Sequence, residues 1–484
     1  MKKEIVTSES PWQTGRRATL HTHASTLALC LALACVSSGA SSCAGPSSSR
    51  LADSTPLDTY VHRADPAYRW EIISRRADES GTTYVLDLRS QVWLSKTQVD
   101  RVEWQHWLTI HKPKDSTSET ALLFIGGGKN GGSPPESIDP NLAAIAQQTN
   151  TAVIELRMVP NQPLTFKSGE ARSRTEDDLI AFAWIKYIQT GNPLWLPRFP
   201  MVKSAVRAMD AATECLSDDG VTLREFVVTG GSKRGWTAWL TGVVDRRVVA
   251  IVPMVIDVLN VDVSMRHHYN AYGEWSPAIH DYVEHGVVDY MGTPAMASLL
   301  ALVDPYAYRH RLTIPKFLIN ASGDQFFLPD SSRFYWSGLR GTDNYIRYVE
   351  NSDHSLSDSD AFESLLAFYD SIVNDSPRPK FSWTILPSGA IEVRTQTPPS
   401  EVNVWRAVNP KARDFRLATI GKSWEKQPLS ASEPGVYVTD EIRPSEGWKA
   451  FFVELIYRQD DRRPFKFSSG VSVIPDRLLY RQQK

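Results

Sequence analysis

Residues 227–240 read VVTGGSKRGWTAWL, and they place a lone hydroxyl, Ser232, between a β-branched run and a helical pattern of apolar residues. Two glycines precede the serine and two cations, Lys233 and Arg234, follow it. A strand that turns sharply into a helix lifts the residue at the turn above the sheet. The helix N-terminus behind that residue favours developing negative charge. This is a setting for a nucleophilic serine, and it needs small neighbours, which Gly230 and Gly231 supply. The usual spacing G-x-S-x-G puts a second glycine two residues after the serine. Here that position holds Arg234, with Gly235 one later.

A serine hydroxyl is a weak nucleophile at its ordinary pKa. It needs a base to take its proton, and the base needs an acid to orient it. In a sheet with the strand–serine–helix turn, the expected chain order is Ser, then Asp or Glu, then His. Asp324 in NASGDQFFLPD and His354 in VENSDHSL follow in that order, each just after an apolar run. Asp330 and Asp257 are the rival acids. Acyl transfer also needs donors for an oxyanion. The glycine run in ALLFIGGGKNGG follows an early apolar run, so one donor is expected from the N–H of Gly127 or Gly128. The other is expected from the N–H of Lys233, the residue after the nucleophile.

These residues need a rigid frame. The segments 121–125, 151–156, 225–230, 248–255, 315–322 and 345–351 are short, nearly continuous apolar runs, as in parallel strands buried on both faces. Helical patterns at 140–149 and 174–190 lie between them, the second with acids in its first turn. Strands alternating with helices predict a doubly wound, mostly parallel α/β sheet over residues 56–375. Residues 259–307 are too long for an ordinary loop and rich in aromatics and histidine, so they predict a cap over the site. Within it His267, His268, Tyr269, Tyr272 and Trp275 are candidates to line a substrate pocket, the more frequent role of such aromatics being to form the cap's own core. After NDSPRPK the pattern changes to short alternating strands with frequent turns, which predicts a C-terminal β-sandwich over 376–484. A chain cut near Asp375 is expected to leave a folded first domain where the interface is modest.

Composition narrows the function. The chain has 484 residues, 42% hydrophobic, with 53 Lys and Arg against 55 Asp and Glu. That balance offers no basic excess for nucleic acid. No metal-ligand spacing is present, and neither metal nor cofactor is expected. Three of the four cysteines, Cys30, Cys35 and Cys43, crowd the N-terminus; the fourth is Cys215. Arg16 and Arg17 precede a charge-free stretch that ends in GASSC at Cys43, which predicts an export signal over 1–43. Cys43 resembles a lipidation site, and Cys35 competes with it. Plain secretion is the other outcome. A lipid anchor at Cys43 is the one membrane contact expected. Residues 44–55 read as a Ser- and Pro-rich tether.

Several motifs taken together resemble one family. GGSKRGWT, SGDQFFLPDSSRFYW, ALLFIGGGKNGG, PMVKSAVRAMD and VWRAVNPKARDFR are similar to the PhoPQ-activated pathogenicity-related proteins, relatives of the autocrine proliferation repressor proteins. The resemblance spans about residues 56–480. It implies an α/β-hydrolase domain followed by an immunoglobulin-like sandwich, usually exported, with Ser232, Asp324 and His354 as triad; it implies no substrate. The GGSKRG turn is also similar to that of the glucuronoyl esterases, where a cation follows the serine. Lys233 and Arg234 would then sit at the mouth of the site and steer an anionic substrate, such as a uronate or acidic peptide. For Arg234 the favoured expectation is plainer: solvent, or an ion pair with an acid on a neighbouring loop. The expected function is an exported serine hydrolase acting on a small-molecule, carbohydrate-ester or peptide substrate. The alternative is a non-catalytic envelope protein that keeps the fold for signalling or binding.

Overall fold

The computed structural model describes residues 54–458 and 463–481. The expected export signal, Cys35, Cys43 and the tether up to residue 53 lie outside them. The main sheet has nine strands: β1 (Arg69–Asp78), β2 (Gly81–Val92), β3 (Glu103–Pro113), β4 (Thr120–Ile125), β5 (Val153–Leu156), β8 (Glu225–Gly231), β9 (Val248–Met254), β10 (Lys316–Ala321) and β11 (Asn344–Val349). A two-stranded pair, β6 (Leu164–Thr165) with β7 (Ser173–Arg174), stands apart from it. The sheet order is β1-β2-β3-β5-β4-β8-β9-β10-β11. The six strands from β5 to β11 along this order are parallel, and they are the six apolar runs of the sequence. The first three are antiparallel, and β1 forms the edge with a register shift between Ile72 and Ser74.

Helices cover both faces. α1 (Pro56–His62), α4 (Arg198–Ser217) and α5 (Lys233–Val244) lie on one side, and α2 (Pro140–Thr149) and α9 (Ala361–Val373) on the other. Adjacent strand residues feed opposite layers: Leu123 and Val228 join the core under α4 and α5, whereas Leu122 and Val227 join the one under α2 and α9. This two-sided burial explains why the parallel strands read as unbroken apolar runs. Between β9 and β10 the chain makes the helical insertion expected over 259–307. It contains α6 (Val261–Tyr272), α7 (His280–Glu284) and α8 (Pro294–Val303), and α7 and α8 pack on α3 (Glu176–Thr190). No helix among the described residues is long and apolar enough to cross a membrane.

The C-terminal region holds β-sheets. β12 (Phe381–Ile385), β13 (Ile391–Thr395) and β16 (Val436–Val438) form one. β14 (Glu401–Asn409), β15 (Glu425–Pro428), β17 (Trp448–Tyr457), β18 (Phe465–Ser468) and β19 (Ser472–Ile474) form the other, and α10 (Leu417–Ile420) is a short helix between strands. These sheets dock on the far edge of the main sheet. Phe467 of β18 stacks on Tyr345 of β11 at 4.5 Å between ring centroids, and Trp383 stacks on Trp336 at 5.5 Å. The Ser468 hydroxyl accepts from the Tyr348 N–H at 3.0 Å. By contacts, Ser54–Lys484 are one compact unit.

Candidate active site

Ser232 stands between β8 and α5 with φ 57° and ψ −126°. For a non-glycine residue this backbone is strained by about 1–3 kcal/mol, and such strain persists where the surroundings over-determine it. The Ser232 N–H is tied to Met254 O at 2.8 Å, and its own carbonyl accepts from Trp236 N at 3.0 Å. Met158, Glu176 and Val255, around the same turn, also hold positive φ. The displaced glycine has a reason. A Cβ on Gly235 would stand 2.8 Å from Gly230 O and 3.0 Å from Met254 O. The close approach of helix to strand that the usual pattern secures with a glycine two residues after the serine is secured here one residue later.

His354 sits on the loop after β11, and its Nδ1 lies 2.8 Å from Asp324 Oδ2 on the loop after β10. Asp324 is buried, and its other oxygen accepts from the N–H groups of Phe326 at 2.7 Å and Phe327 at 3.3 Å. Those bonds fix the carboxylate, and the Phe326 ring packs on the imidazole at 4.3 Å between centroids. A carboxylate partner takes the Nδ1–H, which leaves Nε2 as an acceptor. His354 Nε2 is buried and has no hydrogen-bond partner. No hydrogen bond joins it to the Ser232 hydroxyl among the described residues.

The rival acids are engaged elsewhere. Asp257 receives the hydroxyls of Tyr335 at 2.5 Å and Tyr348 at 2.7 Å, and burial pushes its carboxyl up to about 7 against those two donors. Asp330 is buried too. The Arg413 guanidinium at 2.6 Å and His267 at 3.1 Å outweigh that burial and hold its carboxyl well below the usual range.

Lys233 and Arg234 are both neutralised by the start of α3. Arg234 forks onto Glu176 at 2.8 and 2.6 Å, and Lys233 Nζ reaches Glu176 at 2.9 Å and Asp177 at 3.3 Å. Burial opposes ionisation of Glu176, but Arg234 and Lys233 together hold its carboxyl at about 2. The Arg234 guanidinium also closes on Gly127, where a Cβ would lie 2.8 Å from it. The glycine run is thereby pinned beside the elbow, with Gly126 N bonded to Leu156 O at 2.7 Å and Gly127 O accepting from Met158 N at 2.7 Å. Gly128 has φ 137°, which suits glycine alone.

A cavity opens on Ser232 and Lys233. Trp184, Trp236, Ile256, Met265, Phe326 and Phe327 give it apolar walls. The cap candidates His267, His268, Tyr269, Tyr272 and Trp275 are not among its lining residues. His267 faces Asp330 and the Phe334 ring. His268 accepts from Ser276 N at 3.1 Å, and burial lowers its pKa to about 3. The His268 ring packs between Tyr272 and Trp275, and Arg416 lies over Tyr272 at 4.5 Å. These side chains form the cap's own core against the C-terminal region: His268 and Tyr272 continue the α6 stripe of Val261 and Met265 further along the helix, past the residues that line the cavity. The reading of the sequence missed Glu176, Asp177, Arg198 and Tyr282. The acids of α3 were visible only as favourable charges at a helix N-terminus.

A family profile described as PhoPQ-activated pathogenicity-related protein matches residues 57–416, most of the chain. The chain belongs to this family. The matched span of this PhoPQ-related chain ends inside the C-terminal sheets, short of the motif resemblance, which runs to about 480. Autocrine proliferation repressor protein A of Dictyostelium discoideum is 39% identical over 455 residues, covering 88% of this chain and 92% of the relative. Among solved structures the chain is similar to an acetyl xylan esterase from Paenibacillus sp. R4, at 14% identity and TM-score 0.46 over 65% of this chain and 92% of that one. It is also similar to a glucuronoyl esterase from Solibacter usitatus, at 12% identity and TM-score 0.39 over 66% and 90%.

Proposed function

We propose that this PhoPQ-related protein is a serine hydrolase that cleaves an ester or peptide bond by acyl transfer. The carrying observation is the His354–Asp324 pair with an unpartnered Nε2, on loops at the same carboxyl edge of the parallel strands as a serine held at positive φ on a helix N-terminus. In this reading Ser232 Oγ bonds to the acyl carbon as its proton passes to His354 Nε2. Asp324 holds the tautomer and stabilises the imidazolium. The carbonyl oxygen gathers the charge and takes the N–H of Lys233 and one from Gly127 or Gly128. The leaving group departs with the proton from His354, and water repeats the sequence on the acyl-enzyme. The Ser232–His354 hydrogen bond forms when substrate arrives, since such bonds are often long in the free enzyme.

The test is a fluorophosphonate probe. Wild-type protein is expected to label, and Ser232→Ala is expected to lose labelling while keeping its thermal unfolding profile. A wild type that stays unlabelled overturns the reading and leaves the non-catalytic alternative. We propose also that the chain is exported through residues 1–43 and anchored at Cys43, on the evidence of its sequence alone. Cys43→Ser is then expected to move the protein from the membrane fraction to the soluble one; retention would shift the anchor to Cys35.

A further inference from the structure

Around the elbow two carboxylates, Glu176 and Asp177, meet three cations, Lys233, Arg234 and Arg198. Glu176 is taken by Arg234 and Lys233, and Asp177 by Lys233 and by the Tyr282 hydroxyl at 3.1 Å. Asp178, next along α3, belongs to Arg172, Arg174 and His285. That leaves Arg198, the first residue of α4, which is only 1% exposed. Its guanidinium lies over the Trp236 ring at 4.5 Å, and Nη1 donates to Lys233 O at 3.0 Å and faces the Met201 sulfur at 3.7 Å. Its Nε has no partner, and among the described residues it forms no ion pair with any carboxylate. Burial brings its pKa down to about 10, so it stays charged at neutral pH.

A buried charge is costly unless it is paired. This one lines the cavity that opens on Ser232, whose other polar lining residues, Lys233, Asp177 and Tyr282, are bonded to one another or to Glu176, while the remaining walls are mostly apolar. A guanidinium presents donors in a planar fork that fits a carboxylate. We propose that Arg198 is the receptor for a free carboxylate on the substrate, so that the site takes esters or amides whose acyl group is a short apolar chain ending in that carboxylate. The proposal rests on the acyl-transfer reading of Ser232. It moves recognition of an anionic substrate from Lys233 and Arg234, whose charges are spent on Glu176 and Asp177, to a residue deeper in the cavity. Arg198 is here a specificity residue and takes no part in bond making.

The test compares two esters of matched length, mono-p-nitrophenyl glutarate and p-nitrophenyl pentanoate. Wild type is expected to favour the anionic ester in kcat/KM by about 10-fold or more, the range of a charge-assisted hydrogen bond. Arg198→Met keeps the stem over Trp236, and Lys233 O keeps the Thr237 hydroxyl at 2.9 Å. This variant should lose the preference mainly through KM on the anionic ester, and Arg198→Lys should recover part of it. Equal rates on both esters in wild type, or an equal fall on both in Arg198→Met, would overturn the proposal and leave Arg198 as a clamp on α5. A second arm needs no turnover: calorimetry on Ser232→Ala with monomethyl glutarate against methyl pentanoate. Anion-selective binding that vanishes in Ser232→Ala/Arg198→Met supports the proposal even if Ser232 proves unreactive, and absence of selectivity overturns it even if Ser232 labels.

Discussion

Gly235 shows how a local departure from a familiar pattern is absorbed. The glycine needed for helix-to-strand approach has moved one residue along, and the vacated position carries Arg234, which locks Glu176 to the glycine loop. Gly235→Ala would push a methyl into two backbone carbonyls that cannot swing aside. Overpacking of this kind costs roughly 1–3 kcal/mol, and the strain falls on the elbow. The expected outcome is a lower urea midpoint and slower fluorophosphonate labelling, with Gly242→Ala, whose neighbours are side chains, as the milder control. The pairing of Asp324 with His354 was legible because each follows an apolar strand, so order along the chain stood in for position at one sheet edge, the edge at which Ser232 also stands. Arg198 was illegible for the opposite reason. It opens a long helix, and nothing in RFPMVK distinguishes a guanidinium turned into a cavity from one in solvent.

The helices between β9 and β10 and the loops after β10 depend on charges from far along the chain. Asp330 is held between His267 of α6 and Arg413, the latter from beyond β14, and both Asp330 and Arg413 are nearly fully buried. Removing one partner of such a pair strands the other, at about 3–5 kcal/mol. Arg413→Ala should therefore lower the denaturation midpoint sharply, and Arg413→Ala with Asp330→Ala should restore part of the loss in a double-mutant cycle. That an insertion longer than a loop separates β9 from β10 could be read from length and composition. How far along α6 the cavity runs could not, since His268 and Tyr272 continue the stripe of Val261 and Met265 and only the neighbouring elements decide where the lining stops. β1, β2 and β3 went unread for a related reason. β1 is exposed along both faces and carries no clean alternation, and its partner β2 alternates only over Leu86–Ser90, a short stretch within twelve residues.

Across the molecule, the C-terminal sheets contribute to the frame that holds the acid. Leu417 N donates to Gly323 O at 2.9 Å, one residue before Asp324, and Asn351, near His354, bonds the backbone of Trp424. Phe467 covers Phe317 and Tyr345 on the last strands of the main sheet. A chain ending at Asp375 would bare these rings and take the Arg413 guanidinium from Asp330, so it is expected in the insoluble fraction on expression; soluble, monomeric truncated protein would show that the interface is dispensable. The docking leaves one margin of the nine-stranded sheet open, at β1. Its unpaired backbone is a template for another chain, yet Arg69, Glu71, Arg75, Arg76 and Asp78 line it and the register shift at Ile72 and Ser74 twists it. Charge and irregularity are what keep a sheet margin from recruiting a second copy. With Ile72 and Ile73 already about half exposed there, the colloidal behaviour of the protein at high concentration rests on a strand that takes no part in its chemistry.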